Sequence, residues 1–238
     1  MFGWEEKCGG TFIPKSLGRA LVKRGFDVAI LYAGGIKENI LEPYYLDKRV
    51  EEGIHLYGIY NRAGVFLDID NPEREIIDME ANKIFAEALD EFRPDLVNFH
   101  NFLGLSFEIA RTAKARGIPT VFTTHNYHPI DPSLYLIRDD MKMWNSISFR
   151  ENSDLPDRFP YLRKSYEKRI DSVRSIMQTK IDHVFAVSSR VKELYTEYGI
   201  DENKISVINQ MPKSAEIIKQ LATSKTQIHN PIRFGYIG

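Results

Sequence analysis

Residues 95–128, DLVNFHNFLGLSFEIARTAKARGIPTVFTTHNYH, constrain the fold more than any other stretch of this chain. Leu96, Val97 and Phe99 form a short apolar run that ends at His100 and Asn101, and residues 121–124 form a second that ends at His125 and Asn126. Between the two runs Phe102, Ser106, Ile109, Ala110 and Ala113 recur at helical spacing, and Gly117 and Pro119 supply a stop. The pattern reads as strand, helix, strand. Such a unit lays its strands parallel and side by side, and ligands bind outside their carboxyl ends. Both imidazole–amide pairs fall at that edge.

The rest of the chain repeats the alternation. Ile13, Leu17, Ala20 and Leu21 keep helical spacing, Pro14 suits a first turn and Gly25 a C-terminal cap, and a strand at residues 27–32 follows. Strands are predicted at residues 54–60 and 65–69. Asp78 can cap a helix with the stripe Ala81, Phe85, Ala88, Leu89 and Phe92, which ends before Pro94. Residues 131–160, broken by Pro132, Pro156 and Pro160, read as a long insertion or lid. Leu162, Tyr166, Val173 and Met177 stripe a long helix whose other face carries Arg158, Arg163, Lys164, Lys168, Arg169, Arg174 and Lys180. That face reads either as solvated or as a surface for anionic lipid heads or an acidic acceptor. A strand at 182–187, a helix through Val191, Leu194, Tyr195 and Tyr198 capped by Ser188 or Ser189, a strand at 205–208, a helix at 212–223 and a strand at 232–237 complete the series.

This order implies an α/β fold, a Rossmann-like doubly wound, mostly parallel sheet. The central strand of such a sheet is normally the first, for which only residues 1–4 remain. The expectation is a chain truncated in its first strand: residues 1–230 would form one domain, and residues 231–238 would open a missing C-terminal domain.

The charge balance, 32 Lys plus Arg against 33 Asp plus Glu for a net −1, gives no global field of the kind that draws nucleic acid. Cys8 is the single cysteine and cannot form an internal disulfide. The opening MFGWEEKC carries neither the basic nor the apolar region of a secretory signal, and no run reaches the roughly 18 apolar residues of a membrane span. A cytoplasmic protein is expected, with peripheral contact to an anionic membrane through residues 158–180 as the one membrane role.

Two polar groups carry the candidate chemistry. Gly9 and Gly10, with Cys8 and Thr11, connect the first strand to the first helix; they read equally as a glycine turn or as a bend whose N–H groups approach a phosphate at a helix N-terminus. Neither G-x-G-x-x-G nor G-x-x-x-x-G-K-[ST] occurs. His100, His125 and His128 could bind zinc, could cap strand ends, or, with their Asn neighbours, could recognise hydroxyl groups; no thiolate or carboxylate accompanies them. The absence of G-x-S-x-G argues against a serine hydrolase.

GGTFIPKSLGRALVKRGFDVAILYAG resembles the opening of family 4 glycosyltransferases of the two-domain GT-B fold. DLVNFHNFLG and IPTVFTTHNYH are similar to that family's strands ending in H-x and T-x-H. HVFAVSSRVKELYTEYGIDENKISVINQMP resembles its closing segment, and IRFGYIG the first strand of its donor domain. The resemblance implies a retaining, metal-independent enzyme without a cofactor that moves a sugar from a nucleotide-sugar donor to a sugar, lipid or other hydroxyl acceptor. It implies that Gly9, Gly10 and Thr11 approach the donor's phosphate or sugar and that His125 contacts the transferred sugar near the reacting carbon, with Asn126 beside it. His100 and Asn101 match the acceptor side. Nucleotide recognition, the cationic pair and the E-x7-E carboxylates belong to the family's second domain, so the chain is expected to be inactive alone. A nucleotide-sugar epimerase of the same architecture, or a non-catalytic binding module, are the alternatives.

Overall fold

The structure, a computed structural model, describes residue 4 and residues 9–62, 70–132, 134–136 and 159–209. Strands β1 (Val28–Ala33), β2 (Tyr45–Glu51) and β3 (Ile54–Tyr60) form one sheet in the order β1-β3-β2. Strands β4 (Val97–Phe99), β5 (Thr120–Thr123), β6 (His183–Ala186) and β7 (Ile205–Val207) form a second in sequence order. All pairings are parallel except that of β2 with β3. The helices are α1 (Gly9–Val22), α2 (Glu73–Ile76), α3 (Met79–Phe92), α4 (Glu108–Ala115), α5 (Arg163–Lys180) and α6 (Ser189–Glu197). The alternation predicted from sequence is present, but among the described residues the sheet is two sheets rather than one.

Several elements form as their residues dictate. Asp78 caps α3 by accepting the Ala81 N–H at 3.1 Å, and Arg93 ends it in the left-handed region at φ 53°. Ser188 caps α6 through the Val191 N–H. Behind the four-stranded sheet, Phe85, Phe99, Phe122, Val173, Met177, Val184 and Tyr195 belong to one continuous core. Trp4, Tyr32, Ile54, Leu56 and Tyr60 make a separate small cluster against the three-stranded sheet.

Three expectations are corrected, and one strand is added that the sequence did not signal. The central helix begins at Glu108 and not at Phe102, because the Asn101 side chain captures the Leu103 N–H at 3.0 Å and Gly104 turns the chain at φ 74°. Phe102 is buried by stacking on Phe107, with ring centroids 4.4 Å apart, so its apparent helical spacing reflects tertiary packing. Strand β2 carries no strong alternation of apolar residues. It exists because Glu52 (φ 53°) and Gly53 (φ 78°) close a two-residue hairpin that pairs it with β3. The first helix starts at Gly9 itself, so the glycine pair is helical rather than a preceding bend.

The third correction concerns Arg169, expected on the basic face of the long helix: it is wholly buried on α5 and pairs with Glu75, whereas Lys168 pairs with Glu73 and stays exposed. No helix of the described residues is long and apolar enough to cross a membrane. The predicted strands at 65–69 and 232–237, the helix at 212–223, Arg158 and most of the 131–160 insertion lie outside the described residues.

Candidate functional site

Strands β4 and β5 pair with Val97 opposite Thr120 and Phe99 opposite Phe122. This register carries both chains to the same edge, where each makes a tight turn. Asn101 Oδ1 accepts the Leu103 N–H, and Asn126 Oδ1 accepts the His128 N–H at 2.9 Å. Two Asx turns thus hold the residues that follow each strand, and a Thr123 hydroxyl donating to Asn98 Oδ1 at 3.0 Å ties the strands together.

The result is a histidine pair. His100 Nδ1 and His125 Nε2 lie 2.8 Å apart, sharing one hydrogen bond, and the rings stack with centroids 5.1 Å apart and 21° between planes. One nitrogen of the pair must donate and the other accept, so the bond exists only when at least one ring has lost a proton. Burial, with the His125 ring added, pulls the His100 pKa down to about 3; burial alone pulls His125 down to about 4. Both imidazoles are therefore neutral at physiological pH, and each retains a second ring nitrogen for a ligand. The Asn101 amide nitrogen beside them is buried without a hydrogen-bond partner among the described residues. A buried unsatisfied donor costs roughly 1–3 kcal/mol, which an acceptor oxygen from a ligand would recover.

His128 does not join the pair. It is buried three residues further on, its Nε2 3.0 Å from Glu75 Oε2. Glu75 also accepts from Arg169 Nε at 2.7 Å, and Arg169 Nη2 donates to the His128 carbonyl at 2.8 Å. Burial alone would raise the Glu75 pKa, but the Arg169 and His128 charges outweigh it and hold it at about 2. The three histidines therefore do not converge on one point, and no group of metal-ligating side chains occurs among the described residues. This cluster fixes the segment that carries His125, a role that the sequence did not disclose: its members lie on α2, α5 and the turn after β5, far apart in the chain.

His100 and Asn101 line a cavity of about 1010 Å³ together with Thr11, the buried third residue of α1. Gly9 and Gly10 precede Thr11 in the first turn of that helix. Asn126 stays on the His125 side, its carbonyl 3.5 Å from the Tyr195 hydroxyl.

An α/β chain with paired imidazoles and a buried amide at the carboxyl edge of a parallel sheet is of the class that binds small polar ligands there. More particularly, the chain belongs to Glycosyltransferase Family 4, whose family profile matches residues 14–210. No curated protein matches it. Among solved structures it is similar to "Trehalose-6-phosphate from E. coli bound with UDP-2-fluoro glucose", with 12% identity, TM-score 0.46, and coverage of 92% of this chain and 49% of that one. It is also similar to "OtsA apo structure", with 13% identity, TM-score 0.43, and coverage of 91% and 50%. The chain spans about half the length of both.

Proposed function

We propose that this chain is the acceptor-side half of a GT-B glycosyltransferase that moves a sugar from a nucleotide-sugar donor to a hydroxyl acceptor, with retention and without a metal. The neutral His100–His125 pair carries the reading. Neutral imidazoles exchange hydrogen bonds with sugar hydroxyls without adding charge, and the second nitrogen of His125 is the group to orient the transferred sugar. The Asn101 amide then finds its acceptor on the hydroxyl substrate. The N-terminus of α1, with Gly9, Gly10 and Thr11, offers N–H groups and a favourable dipole to the donor's diphosphate.

The low pKa values disfavour the epimerase reading. Removing a proton from a sugar carbon needs a general base poised near the working pH, and an imidazole whose conjugate acid has a pKa of about 3 to 4 is a weak one.

The test is transfer of labelled sugar from a panel of nucleotide sugars to hydroxyl acceptors by the full-length polypeptide that contains this chain. The product's anomeric configuration is read by NMR and the reaction is repeated in EDTA. Replacing His125 by Ala is expected to lower kcat about 10²-fold or more, the scale of losing an oriented transition-state contact. Unchanged transfer in that variant, or loss of activity in EDTA, overturns the corresponding part of the reading.

A further inference from the structure

The hydrogen bond between His100 and His125 joins two rings whose protons no other side chain fixes. His100 Nδ1 faces His125 Nε2 at 2.8 Å, and among the described residues the two outer nitrogens, His100 Nε2 and His125 Nδ1, have no hydrogen-bond partner. Neither is a buried orphan of the kind that His128 Nδ1 is, so both remain accessible from beyond the strand ends. His128 shows the contrast, because the Glu75 carboxylate 3.0 Å away holds a proton on its Nε2. No carboxylate or arginine does this for the pair: burial alone lowers the His125 pKa, and the one charge acting on His100 is that of His125.

The scaffold keeps the two rings together. Phe99 pairs with Phe122, the Thr123 hydroxyl bonds Asn98, and an Asx turn follows each strand. Parting the rings would leave two half-buried nitrogens unsatisfied, at a cost of roughly 1–3 kcal/mol each. A neutral imidazole carries one N–H. If His100 Nδ1 holds the shared proton, His125 Nε2 is bare and His125 carries its own proton on Nδ1. If His125 Nε2 holds it, His100 Nδ1 is bare and His100 carries its own on Nε2. Both rings therefore take the same tautomer, and of the two outer nitrogens one always donates while the other accepts.

We propose that the pair is a two-state proton switch in which His100 is the positioning residue that sets what His125 offers to a ligand. A hydroxyl that donates to His100 Nε2 selects the state in which His125 Nδ1–H donates; a group that accepts from His100 selects the reverse. The site thus takes two hydroxyl groups, one on each ring and in opposite sense, and binding at either ring changes affinity at the other by the same factor. Interconversion passes the shared proton across the 2.8 Å gap while one outer nitrogen takes a proton from water or a hydroxyl and the other gives one up, so the net charge is unchanged. An acceptor hydroxyl about to lose its proton donates to His100, and its arrival commits His125 to donate to the transferred sugar. That consequence rests on the sugar-transfer reading; the shared tautomer does not.

NMR of the 238-residue chain with nitrogen-15-labelled histidine at pH 7 reads the rings directly. Proton–nitrogen correlation through the ring is expected to give His100 and His125 the same tautomer fraction, with a scalar coupling across the hydrogen bond from His100 Nδ1 to His125 Nε2. Unequal fractions, or an imidazolium at either ring, overturn the proposal. In His100→Phe the coupling is lost, while an unshifted His128 signal, held by Glu75, reports that the fold is kept. In the full-length polypeptide that contains this chain, His100→Phe is expected to lower kcat for transfer about tenfold, the worth of one hydrogen bond, with the donor KM nearly unchanged. His100→Gln, whose amide can donate to or accept from His125, is expected to keep kcat within about threefold of the parent. Equal loss in the two variants, or loss in neither, overturns the positioning role. Equal tautomer fractions in a protein that transfers no sugar uphold the switch and overturn only the sugar-transfer reading.

Discussion

At the scale of single residues, the histidine pair ties ligand chemistry to pH. An unfolded histidine titrates near 6.5, while His100 and His125 in the folded chain do so at about 3 and 4. Between those values the unfolded state binds more protons, so stability rises with pH over that window and is flat above about 7. The expected loss on going from pH 7 to pH 4 is on the order of 3 kcal/mol for each histidine, about 6 kcal/mol for the pair, read from denaturant midpoints, and His100→Asn should reduce the slope by about one proton. Glu75 acts in the same direction at lower pH. Its depressed pKa contributes stability above its unfolded value, and that stability is lost as the pH falls towards about 2. Replacing Glu75 by Gln leaves Arg169 buried without its counter-charge and should cost about 3–5 kcal/mol. A chemical denaturation curve that moves by less than 1 kcal/mol would show the cluster to be dispensable.

At the scale of elements, Asp78 shows what patterning can and cannot reveal. Its place ahead of the stripe of α3 made it legible as a cap, and the structure bears this out. Its other duties were not legible, because Tyr44 donates to it at 2.9 Å from the approach to β2 and Arg62 lies 3.6 Å away, both remote in sequence. Asp78→Ser should therefore keep the cap yet still destabilise, by roughly 1–3 kcal/mol, through the unmatched Arg62 and Tyr44 groups. Gly58 in β3 sits against an aromatic pair: an added Cβ would come within 2.6 Å of the Tyr60 ring and 2.7 Å of the Tyr32 hydroxyl. Those hydroxyls are bonded at 2.9 Å, so Gly58→Ala must displace them, and its thermal midpoint should fall by several degrees, corresponding to about 1–3 kcal/mol. Sequence placed β3 at its observed bounds but gave no hint of this crowding, which depends on which faces of β1 and β3 meet.

At the scale of the whole molecule, the αβ alternation was legible because apolar runs bounded by turn residues survive any tertiary context. The paired histidines were legible as neighbours, since parallel strands with matching ends must deliver them to one edge. The 2.8 Å contact between them, the diversion of His128 to Glu75 and the hairpin that makes β2 were not, because each depends on register or on partners distant in the chain. The two separate hydrophobic clusters have a thermodynamic consequence. The small one, built on Trp4, Tyr32, Ile54, Leu56 and Tyr60, is joined to the larger through a few residues such as Ile59, Leu31 and Ala33. Scanning calorimetry should accordingly resolve two cooperative units, with a calorimetric enthalpy larger than the van't Hoff value and the smaller unit melting first.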